Sequence, residues 1–367
     1  MLPDGSVLGH LEHVDASTGI QQVGGVVQMT WEGKEMWNSE DWKSEESSVM
    51  FTRQHHDIQL TPNPVGYFAP GKKLSHDGIF LIMGSDDVVA PAVSDKLITD
   101  DMIYEYNPGG NGTGFVWKSA EHIDEMGFTA ADREVIKANP NWEPNSSAGD
   151  WIHLNSMSTL GRNKWYDELG DQRFHPDNIL ISSRQAKILA IISKKTGSLV
   201  WRVGPDFSPG KPESELGDLV GQHHAHLIPS GLPGAGNVLL FDNGGMAGYG
   251  ENRVIRTYSR VLEFDPVTLK KVWEYKGADI KGGIFSLALG AAQRLPNGNT
   301  LVTVGIDGLV LEVNSAGKTI WTHKMAADSD GSPNYLYRAY RVPPEWLPVG
   351  INPDGYTPWN KRFTCPE

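Results

Sequence analysis

Short segments of alternating apolar and polar residues run along the chain, and five of them follow one plan. Each begins with an alternating strand, continues through a turn rich in Gly, Asn, Asp or Lys, and ends in a second strand that closes on tryptophan. A period of two residues interrupted by such a turn predicts a β-hairpin. The five predicted hairpins cover residues 26–37, 102–117, 187–201, 260–273 and 308–321.

A second strand pair precedes the hairpins and is built around a turn of Pro, Gly and Asn. Its clearest versions are LPDGSVLG from Leu2, LIPSGLPGAGNVLLF from Leu227 and RLPNGNTLVTV from Arg294, and looser versions start at Leu60 and Pro176. Joined to the hairpin that follows, each pair makes a four-stranded unit. Units of four strands repeated around a ring are the blades of a β-propeller, which leaves no long sheet edge exposed.

We therefore predict an all-β fold, a six-bladed β-propeller with four-stranded blades, as a single domain over residues 1–367. The segment 335–342 has no tryptophan hairpin after it, so we expect it to pair with N-terminal strands, complete a sixth blade and close the ring. The spacing leaves counts of five and seven blades open. The 41 glycines and 23 prolines fit the many turns that this fold needs.

Two insertions interrupt the predicted blades, at about 120–149 and 161–176. In the first, Thr129 stands three residues before Asp132, a spacing that resembles a capping box and predicts a short helix. The second is a polar loop. Each insertion is either decoration of the rim or a lid and aromatic wall over the mouth of the channel.

The charge and the cysteine count exclude several classes of function. Lys and Arg number 32 against 45 Asp and Glu, and this net charge of −13 without a basic run argues against a nucleic-acid partner. No apolar stretch is long enough to span a membrane. The single cysteine, Cys365, excludes an internal disulfide and a cysteine metal site. No signal peptide is visible, so we expect a periplasmic or secreted protein if a signal has been removed, and a cytoplasmic one otherwise.

Histidines concentrate in three short segments, each at the start of a predicted blade. The segments are QHHD at 54–57, DWIHLNS at 150–156 and QHHAH at 222–226. His56 lies six residues before Pro62. His223 likewise lies six residues before Pro229, so two blades place a histidine at one structural position. Because the first strand of a propeller blade lines the central channel, we expect the three segments to converge there.

The residues near these histidines suit an anionic group. His153 and Asn155 stand two residues apart on a predicted strand, so their side chains share a face. Arg184 ends the strand ILISSR of the same predicted blade. Imidazoles, an amide and a guanidinium together suit a tetrahedral oxyanion, with one histidine as nucleophile and another as general acid or base. The alternatives are histidines that make structural hydrogen bonds and an ion pair of Arg184 with an acidic neighbour.

At these residues the chain resembles a known family, the arylsulfate sulfotransferases, which are bacterial enzymes that do not use PAPS. The resemblance rests on the order of DWIHLNS, DNILISSR, GQHHAHLIPSG with NVLLFDNGG, AQRLPNGNTLVTVG and the terminal YRAYRVP. It runs from about residue 55 to 342. It implies a six-bladed propeller with its active site at the centre of the channel.

The resemblance also implies a reaction and a role for each site residue. A sulfuryl group moves from an aryl sulfate ester to a phenol by a ping-pong route through a transiently sulfated histidine, which by motif position is His223. His153 and Asn155 match the pair that holds the sulfuryl oxygens, and Arg184 matches the arginine that stabilises their charge. His56 matches a histidine that serves as acid or base for the phenolic oxygen.

Four further residues are candidates for substrate binding: His55, His224, Tyr337 and Arg338. The partners implied by the resemblance are a small-molecule aryl sulfate donor and a phenolic acceptor, with no PAPS and no metal in the site. The sequence leaves a structural Ca²⁺ ion or a channel metal open. We expect a monomer or a homodimer, since the N-terminal β-domain that helps enterobacterial members to dimerise has no room here.

Two other functions stay open at this point. A metal-dependent hydrolase or lyase would use the histidine cluster. However, His224 and His226 share the face opposite His223, so one strand would not supply three ligands. A non-catalytic propeller would bind a partner on one face, but it has no reason to place His, Asn and Arg together on channel strands.

Overall fold

A computed structural model describes residues 1–14, 21–38, 54–65, 67, 78–107, 114–141, 149–250, 253–327 and 334–348. These residues form five sheets of antiparallel neighbours, numbered here in chain order. Consecutive sheets contact each other, and the first strands of the second, third and fourth sheets lie side by side. The chain therefore has the β-propeller architecture that the repeats predict.

The bounds of the strands are as follows. The first sheet contains β1 (Val7–Val14), β2 (Gln21–Met29) and β3 (Glu35–Asn38). The second sheet contains β4 (Gln54–Leu60), β5 (Phe80–Val89), β6 (Leu97–Tyr106) and β7 (Val116–Lys118). The third contains β8 (Leu154–Thr159), β9 (Ile179–Ser183), β10 (Ile188–Ile192) and β11 (Leu199–Val203).

The fourth sheet contains β12 (His223–Leu227), β13 (Val238–Asp242), β16 (Arg260–Phe264) and β17 (Lys271–Tyr275). A two-stranded ribbon interrupts it, made of β14 (Gly245–Ala247) and β15 (Val254–Arg256). The fifth sheet contains β18 (Ala291–Arg294), β19 (Thr300–Val304), β20 (Leu309–Val313) and β21 (Thr319–Lys324).

All five predicted tryptophan hairpins are present, as β2–β3, β6–β7, β10–β11, β16–β17 and β20–β21. The buried indole of Trp117 donates to the carbonyl of Gly197 at 3.0 Å, in the outer turn of the next sheet. Trp201 donates in the same way to Pro266 at 2.8 Å. In these two blades the tryptophan at the end of the hairpin forms a hydrogen bond that connects its sheet to the next.

The prediction of six blades is wrong for the described residues, which contain five sheets, and no described strand pairs the two ends of the chain. Residues 335–342 form no strand. They run beside the fifth sheet instead: the amide of Arg341 donates to Gln293 Oε1 at 2.7 Å, and that of Ala339 donates to Thr303 Oγ1 at 3.0 Å. Backbone bonds also join the segment to nearby loops, from Leu336 to Gly305 and from Gly290 to Tyr337, but they do not continue into the ladder that a strand would need.

The same C-terminal segment, defined here as residues 334–348, also reaches the first sheet. The carbonyl of Trp346 lies against Gly5, where a Cβ atom would come within 3.0 Å of it. Gly5 has a φ of +85°, so only glycine meets both requirements without strain. The segment therefore occupies the space between the fifth sheet and the first.

The predicted helix in the insertion at 120–149 is present as α1 (Ala130–Ala138). Thr129 caps it, and the side chains of Thr129 and Asp132 form the reciprocal capping box. A 3₁₀ turn (Ser119–Glu125) precedes it, and the second insertion carries α2 (Lys164–Asp167) and a 3₁₀ turn (Gln172–Phe174). Within the described residues, no helix is both long enough and apolar enough to cross a membrane.

Candidate active site

The three histidine segments converge, as predicted, in one group of rings. The ring centroid of His56 lies 4.9 Å from that of His55, 4.9 Å from that of His153 and 6.5 Å from that of His223. We call His55, His56, His153 and His223 the channel histidine cluster. Since β4, β8 and β12 are neighbours, residues that are far apart in sequence meet here.

Shifts in the register of the strands change the direction of the histidine side chains at this point. The ladders of β4, β8 and β12 each shift where they enter the cluster, between Gln54 and Ile58, between Leu154 and Ser156, and between His223 and His226. His56 and His153 have φ values of 59° and 48°. A left-handed conformation costs a non-glycine residue about 1 kcal/mol or more, and such strain concentrates at functional sites.

His223 is fixed in one tautomer. Its Nδ1 lies 2.8 Å from the carbonyl of Gly221 and 2.8 Å from Asn243 Oδ1. Asn243 donates its own amide hydrogens to the carbonyls of Ser286 and Leu289, so its oxygen faces the histidine. Two acceptors at Nδ1 place the proton there, and Nε2 keeps its electron pair.

Burial keeps His223 neutral. It lowers the pKa of His223 to about 3, against the hydrogen bonds to Asn243 and Gly221 that raise it. The charge of Arg184 lowers it further. Among the described residues, no hydrogen bond engages Nε2 of His223. The result is a buried, neutral imidazole with an available nucleophilic nitrogen.

His153 has the opposite character because it is paired with a carboxylate. Its Nδ1 lies 2.5 Å from Asp150 Oδ2. Burial by itself would lower the pKa of His153, but the charge and hydrogen bond of Asp150 raise it above the usual value. The same pair lowers the pKa of Asp150 despite its burial. His153 is thus the cationic member of the channel histidine cluster.

His56 lies between these two rings. Burial lowers the pKa of His56 well below its usual value, and the nearby cations His153 and Arg338 lower it further. Its Nδ1 lies 2.7 Å from Nδ1 of His55. The site therefore combines two neutral imidazoles, His56 and His223, with one cation at His153.

Arg184 and Asn155 flank this group from the third sheet. Arg184 is buried, its amide donates to the carbonyl of His153 at 3.0 Å, and its charge acts on Asp150, His153 and His223. Asn155 is fully buried, and its Nδ2 donates to the carbonyl of Gln222 at 2.6 Å. Its Oδ1 has no hydrogen-bond partner among the described residues.

The face that His153 and Asn155 were predicted to share depends on a regular strand. The structure begins β8 at Leu154, so His153 lies outside the strand, and the register shifts before Ser156. His153 belongs to the channel histidine cluster and Arg184 lies beside it, whereas the amide nitrogen of Asn155 donates to the carbonyl of Gln222, just before β12.

The C-terminal segment brings Tyr337 and Arg338 to the site. Arg338 makes a bidentate ion pair with Asp57, with nitrogen–oxygen distances of 2.8 and 2.9 Å. The hydroxyl of Tyr337 donates to the carbonyl of Asn155 at 2.9 Å, and its ring centroid lies 5.9 Å from that of His56. These two predicted substrate-binding residues thus border the channel histidine cluster.

His224 and His226 form a separate group, which we call the tyrosine-bonded pair. His224 donates from Nδ1 to the carbonyl of Ala292 at 3.0 Å and accepts at Nε2 from Tyr340 at 2.8 Å. His226 donates to the carbonyl of His224 at 2.9 Å and accepts from Tyr67 at 2.9 Å. Both nitrogens of each ring are used, which leaves His224 no free nitrogen for the substrate binding predicted for it.

A cavity of about 290 Å³ opens beside His56. The C-terminal segment forms one wall with Tyr337, Arg338 and Trp346, and Leu8 and Ile58 contribute apolar surface. Its size and lining suit a small aromatic molecule. Within the described ranges, no group of three or more His, Cys, Asp or Glu is arranged to hold a metal ion.

Sequence reasoning missed the partners that set the state of each imidazole. Asp150 stands three residues before His153, and that spacing is the one signal that could have found it. Asp101, which lies 3.1 Å from His55, belongs to another strand. Asn243 is 20 residues from His223, and nothing in the pattern links the two.

Comparisons with known proteins identify a family and several solved structures that are similar to the chain. A family model described as arylsulfotransferase (ASST) matches residues 1–326. No curated protein matches the chain. The Dos1 propeller is similar in structure, with a TM-score of 0.42 and 10% identity over 85% of this chain and 56% of that one.

Two further solved structures are similar at a comparable level. One is a protein of unknown function from Bacteroides caccae, with a TM-score of 0.39 and 12% identity over 81% of this chain and 74% of that one. The other is a catalytically inactive virginiamycin B lyase from Staphylococcus aureus with quinupristin, with a TM-score of 0.36 and 9% identity over 89% of this chain and 76% of that one.

Proposed function

The chain belongs to the arylsulfotransferase family, and on that premise we propose that it moves a sulfuryl group from an aryl sulfate ester to a phenolic acceptor by a ping-pong route. The covalent carrier in this proposal is Nε2 of His223. The observation that supports it most directly is the fixed tautomer of that ring, in which Gly221 and Asn243 hold the proton at Nδ1.

In the first half-reaction the electron pair of His223 Nε2 forms a bond to sulfur. The bond between sulfur and the aryl oxygen breaks, and its electron pair leaves with the aryl oxide. The transferred group resembles a phosphoryl group, whose loose transition state spreads negative charge over three equatorial oxygens. His153 as an imidazolium and Arg184 as a guanidinium stand beside His223 and stabilise that charge.

In the second half-reaction the acceptor phenol gives its proton to His56. Its oxygen forms a bond to sulfur, and the bond between nitrogen and sulfur breaks with its electron pair returning to His223. His56 suits the base because it is neutral and lies between His153 and His223. The cavity beside His56 would hold the aromatic ring of the acceptor, with Tyr337 along its wall.

The proposal needs no PAPS, since the aryl sulfate is itself the donor. The partners are therefore two small molecules, and a periplasmic or secreted location is part of the same proposal. The oligomeric state, monomer or homodimer, is open to direct measurement by light scattering.

A pre-steady-state assay with 4-nitrophenyl sulfate tests the covalent step. Without an acceptor we expect one equivalent of nitrophenol per active site, and intact-mass analysis should show one added sulfuryl group that maps to His223. A phenol such as 1-naphthol should then remove the group and restart the release. His223→Gln should give neither the burst nor the added mass.

The matched control is His323→Gln, which changes an exposed histidine on β21 and should leave both signals unchanged. An equal burst in His223→Gln, or a label on another residue, would contradict the assignment of the nucleophile. Absence of any release with or without acceptor would contradict sulfuryl transfer itself.

A further inference from the structure

His55 has two polar neighbours that the sulfuryl-transfer scheme does not use. Its Nε2 lies 3.1 Å from Asp101 Oδ1, and its Nδ1 lies 2.7 Å from Nδ1 of His56. The first contact has an ion-pairing distance but is not aligned as a hydrogen bond, and Nε2 of His55 is buried with no such bond to any other described atom. The three side chains form a line from a carboxylate to the proposed base.

The carboxylate at the start of this line is held in place. Asp101 lies on β6 opposite Ser85, and its side chain is 3% exposed. Its second oxygen accepts the amide of Leu154 at 2.5 Å. That bond ties Asp101 to the segment that carries His153, so its position relative to both histidines is set by backbone structure.

For a neutral His55, the groups along the line leave one consistent assignment. The negative charge of Asp101 repels the electron pair of a nitrogen 3.1 Å away and attracts a hydrogen there, so Nε2 of His55 carries the hydrogen. Nδ1 of His55 is then an acceptor, and Nδ1 of His56 must be the donor across the 2.7 Å contact. A neutral His56 with its hydrogen at Nδ1 keeps an electron pair at Nε2.

We propose that Asp101 and His55 are positioning residues that fix the tautomer of His56, so that Nε2 of His56 takes the proton of the acceptor phenol. The kinetic part of this inference rests on the function proposed above, whereas the tautomer does not. The proton moves from the phenolic oxygen to Nε2 of His56 and leaves to solvent after the product departs, so Asp101 and His55 stay in their original protonation states.

The tautomer is measured directly by NMR of the enzyme labelled with ¹⁵N-histidine. The signals of His56 are assigned from the spectrum of His56→Gln. We expect a protonated Nδ1 and an unprotonated Nε2 at His56 in the wild type. In Asp101→Asn an amide faces His55, donates to it and reverses the line, so the hydrogen of His56 should move to Nε2. A wild-type His56 protonated at Nε2, or no change in Asp101→Asn, overturns the proposal.

The kinetic test separates a base from a merely structural contact. For acceptor phenols that are un-ionised at the assay pH, Asp101→Asn should lower acceptor-dependent turnover by about 10²-fold, within the range of general base catalysis. Acceptor phenols that are already ionised need no base, so turnover with these acceptors should fall little. The burst from 4-nitrophenyl sulfate should keep its amplitude. An equal loss for both acceptor classes, or loss of the burst, overturns the base-positioning role.

Two further variants keep the test decisive if Asp101→Asn folds poorly. His55→Gln offers an amide oxygen to Nδ1 of His56 and should retain most of the turnover, whereas His55→Leu offers none and should show the full loss. Asp100→Asn is the matched control, because Asp100 accepts from Ala120 and Trp151 and does not touch a histidine. If the wild type gives no burst, the proposed function fails while the NMR result still decides the tautomer.

Discussion

Two histidine groups meet on strand β12, and their second ring nitrogens differ. In the tyrosine-bonded pair, Nε2 of each ring accepts a hydrogen bond from a tyrosine, Tyr340 for His224 and Tyr67 for His226. In the channel histidine cluster, Nε2 of His223 makes no hydrogen bond among the described residues. His223 and His224 are adjacent in sequence and both buried, so burial does not distinguish them.

The difference shows how one strand supplies both structure and reactivity. Burial lowers the pKa of all three of these rings, and each has its Nδ1 hydrogen directed at an oxygen. The three rings differ in the hydrogen-bond partner of Nε2. A tyrosine hydroxyl there turns the ring into a stabilising crosslink, whereas an Nε2 without such a partner is the atom that the proposed scheme uses as nucleophile.

The largest expected effect comes from substituting the adjacent residues His223 and His224 in two separate variants. His223→Gln should lower turnover by about 10³-fold or more, since it removes the ring that carries the sulfuryl group in the proposed scheme. His224→Phe should keep the burst but remove the hydrogen bonds of His224 with Tyr340 and with the carbonyl of Ala292, at about 1 kcal/mol for each lost bond. Burst kinetics and urea unfolding measure the two outcomes. An equal loss of the burst in His223→Gln and in His224→Phe would contradict the difference between the channel histidine cluster and the tyrosine-bonded pair.

Acid should destabilise the protein through the buried neutral rings of both groups. The lowered pKa values belong to His56, His223, His224 and His226. An unfolded histidine titrates near pH 6.5, so below that pH the unfolded chain binds protons that the folded chain refuses. The free energy of unfolding should fall by about 1.4 kcal/mol per pH unit for each ring as the pH drops below about 6.5. Urea unfolding at pH 7 and pH 5 measures this; a flat profile would contradict it.

Asp150→Asn should weaken the cationic member of the channel histidine cluster. Without the carboxylate, burial is the dominant influence and the pKa of His153 falls. We expect turnover at pH 7 to drop by about 10²-fold and to recover partly at lower pH, where His153 regains its proton. The pair itself stabilises the fold between the lowered pKa of Asp150 and the raised pKa of His153, and that contribution is lost on either side.

The pH–rate profile is the measurement for this variant. Asp177→Asn is the matched control, since Asp177 lies 3.8 Å from the exposed His175, outside the site. A profile of Asp150→Asn that superimposes on the wild type would show that the charge of His153 does not contribute to turnover.

The smallest expected effect tests the tyrosine-bonded pair alone. Tyr67→Phe removes one hydroxyl and leaves Nε2 of His226 without its donor. The free energy of unfolding should fall by about 1–2 kcal/mol, with turnover unchanged. Thermal unfolding and steady-state kinetics on the same preparation measure both. A loss of turnover larger than the loss of folded protein would place His226 in the reaction.

Local patterns were sufficient for much of the fold. The tryptophan hairpins and the helix after Thr129 follow from period-two alternation and capping chemistry, which involve residues close in sequence. The convergence of the histidine segments follows from repeat register, as the equal spacing of His56 and His223 before a proline shows.

The blade count and the partners of the histidines depend on contacts between residues far apart in sequence, which no local pattern predicts. The six-blade count failed because alternation in residues 335–342 reads as a strand, whereas those residues bind side chains such as Gln293 and Thr303 instead of a strand ladder. The prediction that His153 and Asn155 share a face assumed a regular strand, and the register shifts between Leu154 and Ser156. Asp101 reaches His55 from β6 and Asn243 reaches His223 from the turn after β13, so only the packed sheets reveal them.

The ion pair of Arg338 with Asp57 joins residues 281 positions apart. During synthesis on the ribosome, a long interval therefore separates the appearance of the channel strands from that of the residue that borders them. Contacts of such sequence separation form late and slowly in folding. A nascent chain would thus hold the histidines of the channel before it holds Tyr337 and Arg338, and this part of the channel wall would be completed only after those two residues are made.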